Sequence, residues 1–277
     1  MNLRFAINRM SAPRLPLVQF AAMAQRLGVD AIEIRNDLAG VEMEDGTPGK
    51  VVGAIACAHG LRIRSINALQ RFEQFDATRE TEARAMMSYA MECGAQALVL
   101  CPTNSLRDVR SAQQRHVDLV AALSRLAPML RDHGLIGLIE PLGFEECAVR
   151  RKSQAVRAIR ELADATPFAL VHDTFHHHLA GEDLFFAALT GLVHVSGVED
   201  AGLDVAHMRD GHRVLVGPAD RLGNVGQLVR LLSAGYSGLA SFEPFADEIA
   251  TAGNIEERLA HSMQHLDRAV GSAAAAA

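Results

Sequence analysis

Cysteine is scarce in this chain, and the few copies stand apart. Cys57, Cys93, Cys101 and Cys147 form no CxxC pair, which argues against a disulfide framework or a zinc ribbon and suits a reducing compartment. Positive charge is also in deficit. With 27 Lys and Arg against 33 Asp and Glu, the formal net charge is -6, so no overall basic field recruits nucleic acid. No run reaches the roughly 18 apolar residues of a membrane span. The opening "MNLRFAINRM" lacks the apolar core of a signal peptide. The expectation is a cytoplasmic protein with neither membrane nor nucleic acid as partner. A Gly-rich phosphate fingerprint is missing too: "NRMSAPRLP" follows the first strand candidate. That disfavours an open dinucleotide-binding sheet.

What the chain does contain is alternation. Eight short apolar runs recur: Leu3–Asn8, Ala31–Arg35, Leu61–Asn67, Ala97–Pro102, Leu135–Pro141, Phe168–Asp173, Leu192–Val198 and Gly238–Pro244. They are near-continuously apolar, as parallel strands buried on both faces are. Helical stretches lie between them. One spans Leu15–Gly28, one begins at Thr78 as a candidate N-cap and ends at Gly94, one ends at Gly134, and "GNVGQLVRLLSAGY" precedes the last strand. A short helix near "EDLFFAALTG" is expected in the least regular unit. Eight β-α units in this length predict an α/β fold, a (β/α)8 TIM barrel, as a single domain over residues 1–270. The "GSAAAAA" end, 271–277, has no pattern to pack and is expected to be a disordered tail or cloning remnant.

In such a barrel the active site lies at the C-terminal ends of the strands. Those ends carry Asn8, Glu33 with Arg35, Asn67, Thr103 with Asn104, Glu140, Asp173, His194 and Glu243. Glu140, Asp173, His194 and Glu243 stand on four successive strands, and two of them share the frame "LIEP" and "SFEP". Three carboxylates and one imidazole suit a divalent ion such as Mn2+, Co2+, Mg2+ or Zn2+, with Mn2+ the first choice. They do not suit a closed structural zinc site. Taken singly, each glutamate would read as a cap or an arginine partner, and the histidine as a core group; their joint placement favours a metal. His176, one turn beyond Asp173 in "DTFH", can face the same pocket and bind substrate or handle a proton. His177 and His178 read as solvated or packing residues, and His172 should face a helix on the other side of its strand. Asn8, Arg9, Glu33, Arg35 and Asn67 could hydrogen-bond substrate hydroxyls; Glu33 and Arg35 read equally well as an ion pair on one strand face.

The set "LIEP", "HDTFH", "VHVSG" and "SFEP" resembles the xylose isomerase-like TIM-barrel superfamily of sugar isomerases and epimerases, over roughly residues 3–265. Within it, the stretch from Phe5 to Leu38 is similar to the inosose (2-keto-myo-inositol) isomerase group. The resemblance implies an enzyme holding a divalent metal through Glu140, Asp173, His194 and Glu243, with His176 on the substrate. It also implies a substrate-binding glutamate after the fifth strand, Glu145 or Glu146, with Glu146 favoured. Where relatives carry an arginine after the histidine ligand, this chain has Glu199 and Asp200, which leaves Arg213 to supply the cation. "VGPADRLGN" stands where a Pro-Gly-x-Gly stretch is common. The implied reaction is proton transfer on a small polyol ketone or ketose through a metal-stabilised enediolate, one of Glu140 and Glu243 removing a proton and the other returning one. The same start serves an inosose dehydratase, a ketose 3-epimerase or a hydroxypyruvate isomerase. A metal-dependent DNA-repair nuclease would need more histidine ligands and a basic face. A catalytically dead, sugar- or partner-binding barrel need not hold an ion. Homo-oligomers are common among such relatives, and these residues give no reading of assembly.

Overall fold

The computed structural model describes residues 3–162 and 166–276. Eight strands pair in chain order, all parallel, and close on themselves: β1 Arg4–Asn8, β2 Ala31–Arg35, β3 Arg62–Gln70, β4 Ala97–Cys101, β5 Ile136–Ile139, β6 Phe168–Asp173, β7 Thr190–Val195 and β8 Leu239–Phe242. Closure is made by β1 on β8, from Arg4 opposite Leu239 to Ile7 opposite Phe242. The helices around it are α1 Leu17–Arg26, α2 Gly49–Ala58, α3 Ala77–Cys93, α4 Ala112–Asp132, α5 Lys152–Arg160, α6 Thr174–Ala180, α7 Asn224–Ser233, α8 Asp247–Ala250 and α9 Ile255–Ala276. None of the described helices is long and apolar enough to cross a membrane.

Two apolar layers result. Inside the barrel, Ala6, Ala31, Ala97, Val99, Leu138, Val171, Leu192 and Leu239 form a small cluster. Outside, Ile7, Ile32, Ile34, Leu98, Leu100, Leu170, Val193 and Phe242 pack against the helices. The strand's two-residue period then fixes the site. Two residues past the inward Leu138, Val171 and Leu192 come Glu140, Asp173 and His194, on the same inner face.

Several helix expectations need correction. The N-cap of α3 is Asp76, whose carboxylate accepts the Arg79 N–H at 2.8 Å; Thr78 lies inside the helix. The segment "EDLFFAALTG" forms only a 3-10 turn, Ala187–Leu189. The helix of that unit is α6, which starts directly at Asp173: its carboxylate caps the His176 N–H at 3.0 Å, and left-handed Gly181 ends it. The described part of the expected tail, 271–276, continues α9 as helix. Alanines can extend a helix already docked on the barrel without a packing pattern of their own.

Candidate metal centre

Glu140, Asp173, His194 and Glu243 converge at the C-terminal mouth of the barrel. All four are buried, and one donor atom from each lies within 4.8 Å of the others. The His194 Nδ1 faces inward, 2.9 Å from Glu140 Oε1, 3.2 Å from Glu243 Oε2 and 3.9 Å from Asp173 Oδ2. Its other nitrogen, Nε2, lies 3.2 Å from the Glu33 carboxylate. Glu33 in turn accepts from Ser65 Oγ at 2.5 Å and Asn67 Nδ2 at 2.9 Å. The imidazole is therefore gripped on one edge, with Nδ1 turned to the cluster.

Three carboxylates so close together demand positive charge. Burial alone would drive the His194 pKa down, but Glu243, Glu33 and Glu140 outweigh it and hold it well above the ordinary value. Burial would likewise raise Glu33, yet the facing His194 holds its pKa down to about 2. In this charge pattern the His194 proton stands where a divalent cation would: an oxygen-rich, one-imidazole donor set fits such an ion, and binding it would release the proton. Glu33→Gln removes the negative end that orients His194. It is expected to weaken affinity for Mn2+ or Zn2+ about 10–100-fold in a competitive chelator titration, without loss of fold. Unchanged affinity would leave Glu33 a packing residue.

Two arginines brace the cluster. Arg213 is 1% exposed; its Nη2 donates to Asp173 Oδ2 at 2.6 Å and to Glu243 Oε2 at 3.1 Å, and its Nε to Ser196 Oγ at 3.0 Å. Arg35 Nη1 donates to Glu243 Oε1 at 2.7 Å, and a second fork reaches both Asp37 oxygens at 2.7 Å. Asn8 Nδ2 donates to Glu243 Oε1 at 3.2 Å. Glu243 thus accepts from three donors. Burial opposes its ionisation, and His194, Arg213 and Arg35 override that, holding its pKa well below the usual carboxylate range.

A cavity of about 400 Å3 opens over this floor, walled by Glu140, Glu243, Arg213, Asn67, His176, Phe144, Phe245 and Cys101 among others. Among the described residues, Asn67 Oδ1 and His176 Nδ1 are buried without a hydrogen-bond partner, as atoms that face a polar ligand are. Gly143 permits the fit of the rim, since a Cβ there would stand 2.1 Å from the His176 carbonyl; Phe144 packs edge-on to the His176 ring at 5.3 Å.

The structure brings most of the expected residues together, and it separates others. Glu146 is only half-buried and is not on this cavity wall, and Glu145 is exposed beside Arg150, so neither reaches the cluster. Asn8 is also off the wall; it holds Glu243. Arg9 turns away to a buried ion pair with Glu42 at 3.0 Å. Glu33 and Arg35 do not pair with each other but serve His194 and Glu243 separately. His172 lies outside the barrel, as its strand parity requires, between Lys152 Nζ at 2.7 Å and Gln227 Oε1 at 2.8 Å. Cys101, whose thiol lies 3.4 Å from Glu140 Oε2, went unread as a site residue. Its position at the end of β4 was the available signal.

The fold is a closed parallel eightfold barrel with a buried cluster at its strand ends that could hold a divalent ion. The chain belongs to the xylose isomerase-like TIM barrel family, whose model matches residues 21–269. A xylose isomerase domain-containing protein from Salmonella typhimurium LT2 is 33% identical, with a TM-score of 0.86 over 98% of both chains. The IolI protein, solved with a bound zinc atom, is 22% identical with a TM-score of 0.84, over 98% of this chain and 99% of that one. An L-ribulose 3-epimerase is 17% identical with a TM-score of 0.73, over 98% of this chain and 95% of that one. With the last two, the fold is what is shared. No curated protein sequence matches the chain.

Proposed function

We propose that the chain is a divalent-metal-dependent isomerase of a small polyol ketone, with 2-keto-myo-inositol (inosose) the first substrate to test. The observation that carries this is the convergence of four donor atoms within 4.8 Å, with Glu140 and Glu243 on the wall of a cavity. Family membership supports it, as does the zinc bound in IolI. Glu140, Asp173, His194 and Glu243 would hold the ion. Mn2+ is the first choice, with Co2+, Mg2+ or Zn2+ as alternatives. When bound, it supplies Lewis-acid polarisation of a carbonyl and its neighbouring hydroxyl.

The residues around it divide the remaining work. His176 Nδ1 and Asn67 Oδ1 offer unpaired polar atoms to substrate hydroxyls. Phe144 and Phe245 supply apolar wall, and Arg213 presents a fixed cation beside the reacting end. The two glutamates are not equivalent. Glu243 is pinned by Arg35, Asn8 and Arg213, which makes it a poor proton acceptor. Among the described residues, Glu140 has only His194 and the Cys101 thiol as side-chain partners. Glu140 is therefore assigned the proton taken from the carbon next to the carbonyl, which it returns to the former carbonyl carbon while the hydroxyl proton passes to the former carbonyl oxygen, and Glu243 chiefly holds charge and position.

The test is incubation of the Mn2+-loaded protein with 2-keto-myo-inositol in D2O, followed by NMR. A new ketone isomer establishes the isomerase. Loss of water makes the chain an inosose dehydratase. No reaction with the metal bound moves the substrate to an open-chain ketose, as in a 3-epimerase, or to hydroxypyruvate.

A further inference from the structure

Three arginines stand on the cavity wall, and they are not alike. Arg35 is bound by Asp37 and Glu243, and Arg213 by Asp173, Glu243 and Asp210, all within 3.2 Å. Both cations are neutralised within the protein. Arg71 is exposed at the mouth, and among the described residues its side chain has no carboxylate partner and no hydrogen bond.

Its placement is nonetheless built. Arg71 has φ +52°, a left-handed backbone that costs a non-glycine residue about 1–2 kcal/mol. The turn is pinned on its far side. Phe72 is fully buried and its N–H bonds the Cys101 carbonyl at 3.3 Å. The buried Glu73 carboxylate accepts the Thr103 N–H at 3.0 Å and Arg110 Nη2 at 2.7 Å. Gln74 closes the turn onto the Arg71 carbonyl at 3.0 Å and donates to Thr103 Oγ1 at 2.8 Å. The chain thus holds a conformation most side chains avoid and sets an unneutralised guanidinium on the wall of the reacting cavity. Asn104 and Ser105 share that wall and carry no charge to oppose it. The floor, by contrast, is lined with carboxylates that would reject an anionic group.

We propose that Arg71 forms an anion-binding subsite at the cavity mouth, so that the substrate is a polyol ketone bearing a carboxylate or phosphate at the end remote from Glu140 and Glu243. The reacting end follows the isomerase reading above; neutral 2-keto-myo-inositol would present that end alone. A guanidinium suits this task because its forked N–H groups match two oxygens of one anion.

Two measurements test it on the metal-loaded protein. Calorimetric titration with inorganic phosphate, and separately with malonate, compares wild type with Arg71→Gln and Arg71→Lys. Binding should weaken on the order of 10–100-fold in Arg71→Gln and less in Arg71→Lys, where the charge remains but the fork is lost. The stronger of the two probes names the anion. Equal binding by wild type and Arg71→Gln, or none by wild type, overturns the subsite. Proton exchange in D2O is then followed on D-fructose and D-fructose 6-phosphate. The ratio of kcat/KM, phosphorylated over neutral, should fall by a similar factor in Arg71→Gln; an unchanged ratio overturns the specificity. Turnover of neither sugar nor of 2-keto-myo-inositol, with Arg71-dependent anion binding intact, would fell the isomerase reading and leave the subsite standing.

Discussion

Glu140→Gln is expected to lower kcat about 100- to 10,000-fold, the range lost when a positioned general base is removed. The change keeps the shape and one ligating oxygen, so the ion should stay bound at raised concentration. The carboxamide has no basic oxygen for a carbon-bound proton. The asymmetry of the site makes the prediction specific to this residue. Glu243 is saturated with donors, whereas among the described residues Glu140 Oε2 faces only the Cys101 thiol at 3.4 Å. Exchange of the substrate C–H with D2O reads the step directly, independent of product release. Exchange near the wild-type rate in metal-loaded Glu140→Gln would move the base elsewhere in the cavity.

The second large effect is on stability. Arg213→Met removes a fully buried cation from between Asp173 and Glu243, with contacts of 2.6 and 3.1 Å. Breaking a buried pair from one side leaves uncompensated charge, at a cost of about 3–5 kcal/mol. Metal-free Arg213→Met should therefore unfold at markedly lower urea than metal-free wild type. The loss should shrink when Mn2+ or Zn2+ is supplied, because the ion offers the stranded carboxylates a second cation. Equal urea midpoints without metal would mean that water or proton uptake already serves those carboxylates, and the bracing role would fall.

How much of this was legible in the sequence follows from how each feature is encoded. Strands buried on both faces leave apolar runs, and β2 and β6 begin and end where those runs do. The convergence of the four candidate ligands was legible because strand parity and strand ends are one-dimensional: Glu140 and Glu243 precede prolines, and Asp173 ends a run and caps α6. Loop residues obey no such period. Glu146 follows the fifth strand in sequence, yet the turn carries it off the cavity wall. Arg71 reads as one more surface cation until its backbone angle and its lack of a partner are seen. The pairing of Glu33 with His194, rather than with Arg35, crosses the barrel interior from β2 to β7, strands that are not neighbours, and no one-dimensional pattern records it. The helix expected at "EDLFFAALTG" had the right apolar content, but Asp173 had already started α6 a few residues earlier.

Barrel closure also carries a kinetic consequence. The candidate donors Glu140, Asp173, His194 and Glu243 lie on or just past the last four strands, and Glu243, which follows β8, receives Asn8 and Arg35 only when β8 meets β1 at the other end of the chain. An ion held there would meet Glu243 in its braced position only once the longest-range contact in the chain is made. Metal should leave the refolding rate nearly unchanged and slow unfolding instead, as interactions absent from the transition state do. It would act as a latch on the finished ring.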